Sequence, residues 1–321
     1  MAVYTQLTRP ALEAACEAFG LGDLKEAHGI PQGSINTNYR LETARGRWFL
    51  RHTTVRSEAD LLFEARLLDH LHASAYPAPV LVRTADGRPF LPLEGGRVSV
   101  FHWLTGEERT RADLQVDHAR AVGRVLGKLH RVCAAFSEDR PNPYGPETVR
   151  GWLELMRTNP DPTLRDVADE LDRALQDTLP FGALVPRGVI HADLFLDNVK
   201  WIGDRVSAVF DFEMACRDAL VVDLAITLNA WCFDGTYQPG LCVGMVQGYE
   251  EQRPLAENEL DALYRAALFG AVRYTASRIR DFHLSTLPPD RLHPKDYRTY
   301  LARVRTLKEL GPSGFRTLVR P

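Results

Sequence analysis

The stretch Val189-Ile190-His191-Ala192-Asp193-Leu194-Phe195-Leu196-Asp197-Asn198-Val199, followed by Asp211 in Val209-Phe210-Asp211-Phe212-Glu213, constrains this 321-residue chain more than any other feature. Apolar residues on both sides of the polar segment read as short strands, so Asp193 and Asn198 fall in a loop between strands. The turn from Lys200 to Val206 then returns the chain so that Asp211 faces them. Any fold that suits this sequence must carry strand, loop and hairpin in its second half, and must gather three oxygen-bearing side chains.

The rest of the chain supplies a setting in two parts. Thr8 and Pro10 open an amphipathic helix with Leu12, Cys16 and Phe19 on one face, closed by Gly20 and Gly22. From Leu24 to about Thr54 the period is two, with a hairpin of 38–42 and 47–51 around Ala44-Arg45-Gly46. Ser57 caps a helix whose stripe is Leu61, Ala65, Leu68 and His72, and Pro77 and Pro79 end it. Strands are expected over 80–83 and 97–103, with Asp86-Gly87 turning between them.

Beyond Leu104-Thr105-Gly106 the pattern is helical over 113–136, 220–233, 257–282 and 294–310, and strand signals return only between Val189 and Phe212. Pro141 to Pro146 and Pro160 to Pro162 read as surface loops. Two divisions follow: residues 1–101, rich in strand, and residues 102–321, mostly helical.

Composition narrows the class. Hydrophobic residues make up 45% and charged residues 25%, which is the balance of a globular chain with ample core. A net charge of −3 argues against a protein that coats nucleic acid, since that needs clustered Lys and Arg to displace counterions. Cys16, Cys133, Cys216, Cys232 and Cys242 are scattered, without CxxC spacing, and read as buried thiols in a reducing compartment. The start of the chain has no charged segment followed by an apolar core, and the most apolar run, 219–233, is broken by Asp223 and Asn229. No membrane partner is expected, and the expected location is the cytoplasm. Monomer and dimer both remain open.

The polar segment has the form H-x-D-x-x-x-x-N, then an apolar strand pair, then D-F-x. Phosphoryl transfer through a loose transition state asks for oxygen ligands to a divalent cation and one carboxylate facing the acceptor hydroxyl. Asp193, Asn198 and Asp211 are those atoms in that order. The bland alternatives are a turn cap for Asp193 and a turn former for Asn198. His191 belongs with them either as a catalytic group or, on the reading preferred here, as the packing residue of the loop. Asp197 is given no role. Asp223 is expected to orient the loop.

The first half is less explicit. Gly29 to Asn38, with Gly33, Ser34 and Asn36, sits between strand patterns where backbone N–H groups can approach phosphate oxygens, although it is neither GxGxxG nor a Walker A sequence. Arg51 ends the third strand where a kinase places its phosphate-reaching cation, and Glu64 on the next helix is spaced to pair with it. Lysine is usual at that place in protein kinases, and an exposed strand arginine is the alternative.

Together these residues resemble the aminoglycoside-phosphotransferase-like kinases along nearly the whole chain, and within them the kinase-fold homoserine kinases of bacteria. The likeness rests on Gly29-Ile30 through Gly33 with Asn36-Thr37-Asn38, on 189–195, on Asp197-Asn198-Val199, on Asp211-Phe212 with Ala215-Cys216, and on Asp223-Leu224-Ala225-Ile226. The run Leu228-Asn229-Ala230-Trp231-Cys232-Phe233 is the most discriminating. The resemblance implies an α+β, protein-kinase-like bilobal fold: a small N-terminal antiparallel sheet with one main helix, and a larger, mostly helical C-terminal lobe.

It also implies ATP and Mg2+ as cofactors, with Asn198 and Asp211 holding the metal. Asp193 would face the hydroxyl, and 100–104, with His102 and Leu104, would form the adenine hinge. Homoserine carries a carboxylate and an ammonium group, so the implied acceptor residues are Arg273, Arg278, Asn38, Glu213 and Asn229. The reaction implied is a step toward threonine. Where the family shows D-F-Y-F-A-C-N-D this chain has Asp211-Phe212-Glu213-Met214-Ala215-Cys216-Arg217-Asp218. Glu213 can therefore hold a substrate amine or mark another small alcohol, such as an aminoglycoside, a choline-like amino alcohol or a thio-sugar. A silent nucleotide-binding module and a hydrolase built on His191 and Asp193 are the readings from other classes.

Overall fold

The computed structural model describes residues 6–30, 36–178, 185–284 and 295–320. The chain folds as two compact units, one running to Thr105 and the other beginning at Gly106.

In the first unit, helix α1 (Arg9–Ala18) begins where the Thr8 hydroxyl accepts from the Ala11 N–H. Gly20 and Gly22, at φ +64° and +79°, turn the chain out of it. Strands β1 (Leu24–Ile30), β2 (Thr37–Thr43) and β3 (Gly46–Thr53) precede helix α2 (Glu58–Ala73), and β4 (Leu81–Val82), β5 (Leu91–Leu93) and β6 (Gly96–His102) follow it. The sheet is antiparallel in the order β1-β2-β3-β6-β4, with β5 beside β6. Strand β2 buries Thr37, Tyr39, Leu41 and Thr43 in alternation, and Tyr39, Leu41, Leu50, Val98 and Val100 pack with Leu12, Cys16 and Phe19 of the α1 region.

Two expectations need correction here. His72 is exposed, and the buried face of α2 instead takes in Phe63, Glu64, Leu67 and Leu71. The short β5 was missed because Pro92 at its centre removes a ladder donor. Gly33 and Ser34 of the expected phosphate turn lie outside the described residues.

Arg51 is not an exposed strand residue. It is 7% exposed, its Nη2 lies 2.6 Å from Glu64 Oε2, and Arg56 donates to the same oxygen. Burial pushes the Glu64 carboxyl up, yet the Arg51 and Arg56 guanidiniums outweigh it and hold the group at about 2. Removing one member of such a set strands buried charge.

The second unit contains α3 (Val116–Cys133), α4 (Pro146–Arg157), α5 (Pro162–Gln176), β7 (Arg187–Ile190), β8 (Val199–Ile202), β9 (Arg205–Val209) and β10 (Cys216–Ala219). It continues with α6 (Leu220–Trp231), β11 (Phe233–Asp234), β12 (Thr236–Tyr237), α7 (Pro239–Glu250), α8 (Glu257–Phe282) and α9 (Arg298–Val319). The prolines read as loop formers include Pro146 and Pro162, which open α4 and α5, where the missing N–H costs nothing. Helix α7 was missed because its glycines weaken the helical pattern, and those glycines are what its packing requires. A Cβ on Gly248 would collide with the Arg120 carbonyl, and one on Gly123 with the Met245 carbonyl, so α3 and α7 touch backbone to backbone. Strand β10 was missed because Arg217 and Asp218 hide its pattern; it pairs with β7 in the register Cys216 to Ile190. Helix α9 breaks at Gly311, φ +62°, ahead of Pro312, which is why its sequence pattern stops at Leu310. Among the described residues no helix is long and apolar enough to cross a membrane.

A carboxyl held at about 2 against an ordinary 4.5 adds stability that is complete above pH 4.5 and is lost as pH falls through 2, worth roughly 3 kcal/mol. Glu64→Gln is expected to destabilise the protein by about 3–5 kcal/mol in urea unfolding at neutral pH and to flatten the stability–pH curve between 4.5 and 2. An unchanged slope in that window would refute the ion-pair account.

Candidate active site

The loop after β7 is fixed by its backbone. Asp223 lies in the first turn of α6, and β10 leads directly into that helix alongside β7. The Asp223 carboxylate therefore reaches back to accept from the His191 N–H at 2.6 Å and the Ala192 N–H at 2.9 Å, with His130 Nε2 at 3.0 Å. His130, on α3, has its other nitrogen 2.8 Å from Tyr249 Oη on α7, so the glycine-mediated helix crossing positions it. Burial pushes the Asp223 carboxyl up, but His130, followed by His191 and its N–H, outweighs this and keeps it ionised.

The loop carbonyls are also satisfied. Ala192 O accepts from Arg273 Nη1 at 3.3 Å and lies 2.7 Å from Tyr274 Oη, whose one proton it shares with Asp193, and Leu194 O accepts from Trp231 Nε1 at 2.9 Å. Asp193 O accepts from Asn198 Nδ2 at 2.8 Å. With its N–H and C=O groups held from both sides, Ala192 keeps φ at +64°, a left-handed conformation costly for alanine.

Asp193 and Asn198 are thus brought together. The amide nitrogen of Asn198 is spent on Asp193, which leaves its Oδ1 as the atom able to ligate a cation. Asp193 Oδ1 lies 2.7 Å from Tyr274 Oη, and its Oδ2 lies 3.4 Å from Asn198 Nδ2. Burial raises the Asp193 carboxyl against the opposing pull of Tyr274, His191 and Arg273, making it a stronger base than a solvated aspartate.

Asp211 follows Phe210, which is gripped twice: its N–H donates to Asn198 O at 3.0 Å, and its carbonyl lies 3.0 Å from His191 Nε2. Strands β8 and β9 pair Val199 with Val209, so the hairpin returns Asp211 beside Asn198. Asp211 itself adopts φ +66°. An amide oxygen and a carboxylate are hard donors that fit a divalent cation. Among the described residues no group of three His, Cys, Asp or Glu side chains could hold one by itself.

Both ring nitrogens of His191 are engaged within the loop. Its Nδ1 accepts from the Asp193 N–H at 3.3 Å while Nε2 donates to Phe210 O, and burial pushes its pKa down, so the ring stays neutral with both nitrogens engaged. Asn229, expected to read the acceptor, is fully buried; its Nδ2 donates to Ala267 O at 2.8 Å and its Oδ1 accepts from Tyr237. It fastens α6 to α8 and β12. Arg273 is 1% exposed, between the Tyr144 and Tyr274 rings, and braces the loop.

Glu213 is half-buried, and its carbonyl accepts from Arg140. Arg278 lines a cavity of about 440 Å³ together with Phe195, Tyr300, Arg111 and Arg303. Sequence reasoning missed Tyr274, Arg111, Arg303 and Tyr300, which sit far from the loop in the chain and carry no motif. In the first unit, Asn38 is the cross-strand partner of Arg51, Asn36 is buried, and His102 ends β6 with its ring 5.0 Å from that of Trp48. Leu104 is half-buried just beyond.

Asp223→Ala leaves buried donors without an acceptor and is expected to cost about 2–5 kcal/mol in unfolding experiments. A loss under about 1 kcal/mol would remove Asp223 from its central place. Tyr274→Phe deletes a hydrogen bond that favours ionised Asp193, so the acid limb of kcat/KM should move to higher pH; a shift to lower pH would contradict the assignment.

A family model described as "Phosphotransferase enzyme family" matches residues 26–257. The chain is 36% identical over 317 residues to a homoserine kinase of Sinorhizobium medicae, covering 95% of this chain and 94% of that one. It is 36% identical to a homoserine kinase of Parvibaculum lavamentivorans over 98% and 99% of the two chains. In fold it is similar to an amicoumacin kinase solved with AMP-PNP, Ca2+ and amicoumacin, at a TM-score of 0.74 and 18% identity over 96% and 95%. The loop that presents Asp193 and Asn198 lies within the matched residues, and this chain belongs to the phosphotransferase enzyme family, as an enzyme that moves a phosphoryl group to a small molecule.

Proposed function

We propose that this phosphotransferase transfers the γ-phosphoryl group of ATP to the side-chain hydroxyl of L-homoserine, giving O-phospho-L-homoserine, and that it does so in the cytoplasm. The acceptor reading is carried by 36% identity, held over 95% of the chain, to proteins named homoserine kinase. The five cysteines are free and buried, which suits a reducing compartment.

In the second unit, Asp193 Oδ2 is the oxygen less committed within the protein and would take the proton of the acceptor hydroxyl as it attacks. Tyr274 fixes Oδ1, so the carboxylate's orientation is set before the acceptor arrives. Asn198 Oδ1 and Asp211 would hold Mg2+, which neutralises the charge of the transferring phosphoryl group. In the first unit, Arg51, locked by Glu64, would bind nucleotide phosphates, and the chain at His102 to Leu104 would meet the base. Arg can replace Lys there because a buried carboxylate aligns its guanidinium.

Release of ADP by the purified protein should be fastest with L-homoserine across a panel that includes amino alcohols, aminoglycosides and thio-sugars. Turnover of a sugar with none of homoserine would overturn the acceptor. Asp193→Ala should lower kcat by roughly 10²- to 10⁴-fold with ATP affinity retained. Lost ATP binding in that variant would show that Asp193 serves the nucleotide instead.

A further inference from the structure

Helix α6 ends at Trp231, and its last carbonyls have no partners within the helix. Two arginines from distant parts of the chain take them. Arg111 donates to Ala230 O at 2.6 Å and Trp231 O at 3.2 Å, and Arg303 Nε donates to Asn229 O at 2.7 Å. Arg278, held through Nη1 by Asp296 O at 2.9 Å and Thr299 Oγ1 at 2.6 Å, stands beside them. All three line the 440 Å³ cavity, a volume suited to a small molecule.

No described carboxylate is in ion-pair contact with any of the three, whereas Arg109 on the same cavity wall is paired with Asp204. The helix end offers only about half an elementary charge. Burial pushes the Arg303 pKa down, and the neighbouring Arg111 and Arg278 push it the same way. The guanidiniums of Arg278 and Arg303 each lie over the ring of Tyr300, at 4.5 and 4.4 Å. The Tyr300 hydroxyl is buried with no hydrogen-bond partner among the described residues, and the residue is only 2% exposed. Such a hydroxyl, among arginines with no described carboxylate partner, is the setting for an anion that accepts from all of them.

The cavity's position selects which anion. It is walled by Phe195, Leu196 and Asp197 of the catalytic loop, and it adjoins rather than includes Asp193, Asn198 and Asp211. The ring of Tyr300 lies 5.1 Å from that of Tyr274, whose hydroxyl holds Asp193, and Asp193 acts electrostatically on both Arg278 and Tyr300. A small acceptor with its hydroxyl at Asp193 would therefore extend its other end toward the arginines.

We propose that Arg111, Arg278 and Arg303, with the Tyr300 hydroxyl, bind the α-carboxylate of the acceptor and so restrict this enzyme to alcohols that carry a carboxylate. The assignment rests on the phosphoryl-transfer reading of Asp193 given above. It changes the expected acceptor residues: Arg111 and Arg303 join Arg278, and Arg273 serves the loop.

The test compares L-homoserine with 3-amino-1-propanol, which has the same hydroxyl and amine and no carboxylate. Arg278→Gln should raise the KM for homoserine roughly 30- to 100-fold, change kcat much less, and collapse the preference for homoserine over 3-amino-1-propanol. Tyr300→Phe removes only a hydroxyl with no partner among the described residues, so its melting temperature should hold while its homoserine KM rises several-fold. Arg305→Gln, on the same helix and paired with Glu170, is the charge-loss control and should leave both acceptors unchanged. An equal loss on both acceptors in Arg278→Gln, or an unchanged homoserine KM in both cavity variants, would overturn the assignment.

If the wild-type enzyme fails on homoserine, 4-hydroxybutyrate and L-serine separate the two proposals. Preference for these carboxylated alcohols, lost in Arg278→Gln, would retain the carboxylate site and remove only homoserine. Activity confined to alcohols without a carboxylate would remove the carboxylate site. Thermal protection of the wild-type enzyme by inorganic phosphate, with none by homoserine or 4-hydroxybutyrate, would also overturn it in favour of a phosphate site.

Discussion

The bonds from the His191 and Ala192 N–H groups to the carboxylate of Asp223 are the constraint on which the second unit's chemistry depends. They bend the chain sharply after β7 and force Ala192 into a left-handed conformation, which turns Asp193 out of the strand direction. A buried carboxylate can do this only if its oxygens are well supplied with hydrogen bonds, and His130 Nε2, 3.0 Å away on α3, adds to the two N–H donors. His130 is aimed by Tyr249 on α7, and α7 approaches α3 closely enough because glycines remove side chains from the contact. A chain of packing choices far from the acceptor thus ends in the orientation of a single carboxylate. The energetic logic is that of a network in which every member is satisfied, where removing one exposes the cost of all.

Burial sets the chemistry of the loop in opposite senses. It raises Asp193, which suits a proton acceptor, while it lowers His191, which suits a neutral brace. Asp223 experiences the same burial but remains ionised because it has a histidine and backbone donors beside it. Tyr274 links Asp193 to the aromatic wall of the neighbouring cavity, since its hydroxyl lies 2.7 Å from Asp193 Oδ1 and its ring 5.1 Å from that of Tyr300. The run Leu228 to Phe233, the most discriminating part of the family resemblance, gains a physical account in the same place. Trp231 holds the loop through Leu194 O, Asn229 ties helices together, and the carbonyls of residues 229–231 orient Arg303 and Arg111.

Much of this was legible in advance because it is local. Thr8, Ser57 and the hairpin at Ala44-Arg45 announce themselves within a few residues, and their elements start where those residues put them. The stretch 189–211 carries its own loop and hairpin spacing, and so places Asp193 beside Asn198 and returns Asp211. Elements that lack such signals were missed for stated reasons. Helix α7 is discounted by its glycines, β10 by its charges, and α4 and α5 by prolines that also suit loops. The errors at single residues follow the same rule. Asn229 is polar and sits in a motif, which suggested contact with substrate, yet its partners Ala267 and Tyr237 come from other elements.

The sequence by itself determined the strand-flanked loop with its carboxylate and amide, and the pairing of Arg51 with Glu64, because each is encoded by spacing along one or two neighbouring segments. Only the tertiary structure decided which groups stand around that loop. Arg111, Arg273, Tyr274, Arg278, Tyr300 and Arg303 come from segments separated by up to about two hundred residues, and no periodicity links them. Whether an arginine braces a loop, caps a helix end or awaits an anion depends on which carbonyls, rings and carboxylates lie within a few ångströms. That information arises only when helices pack, since hydrogen bonds and burial depend on distance in space and not on separation along the chain.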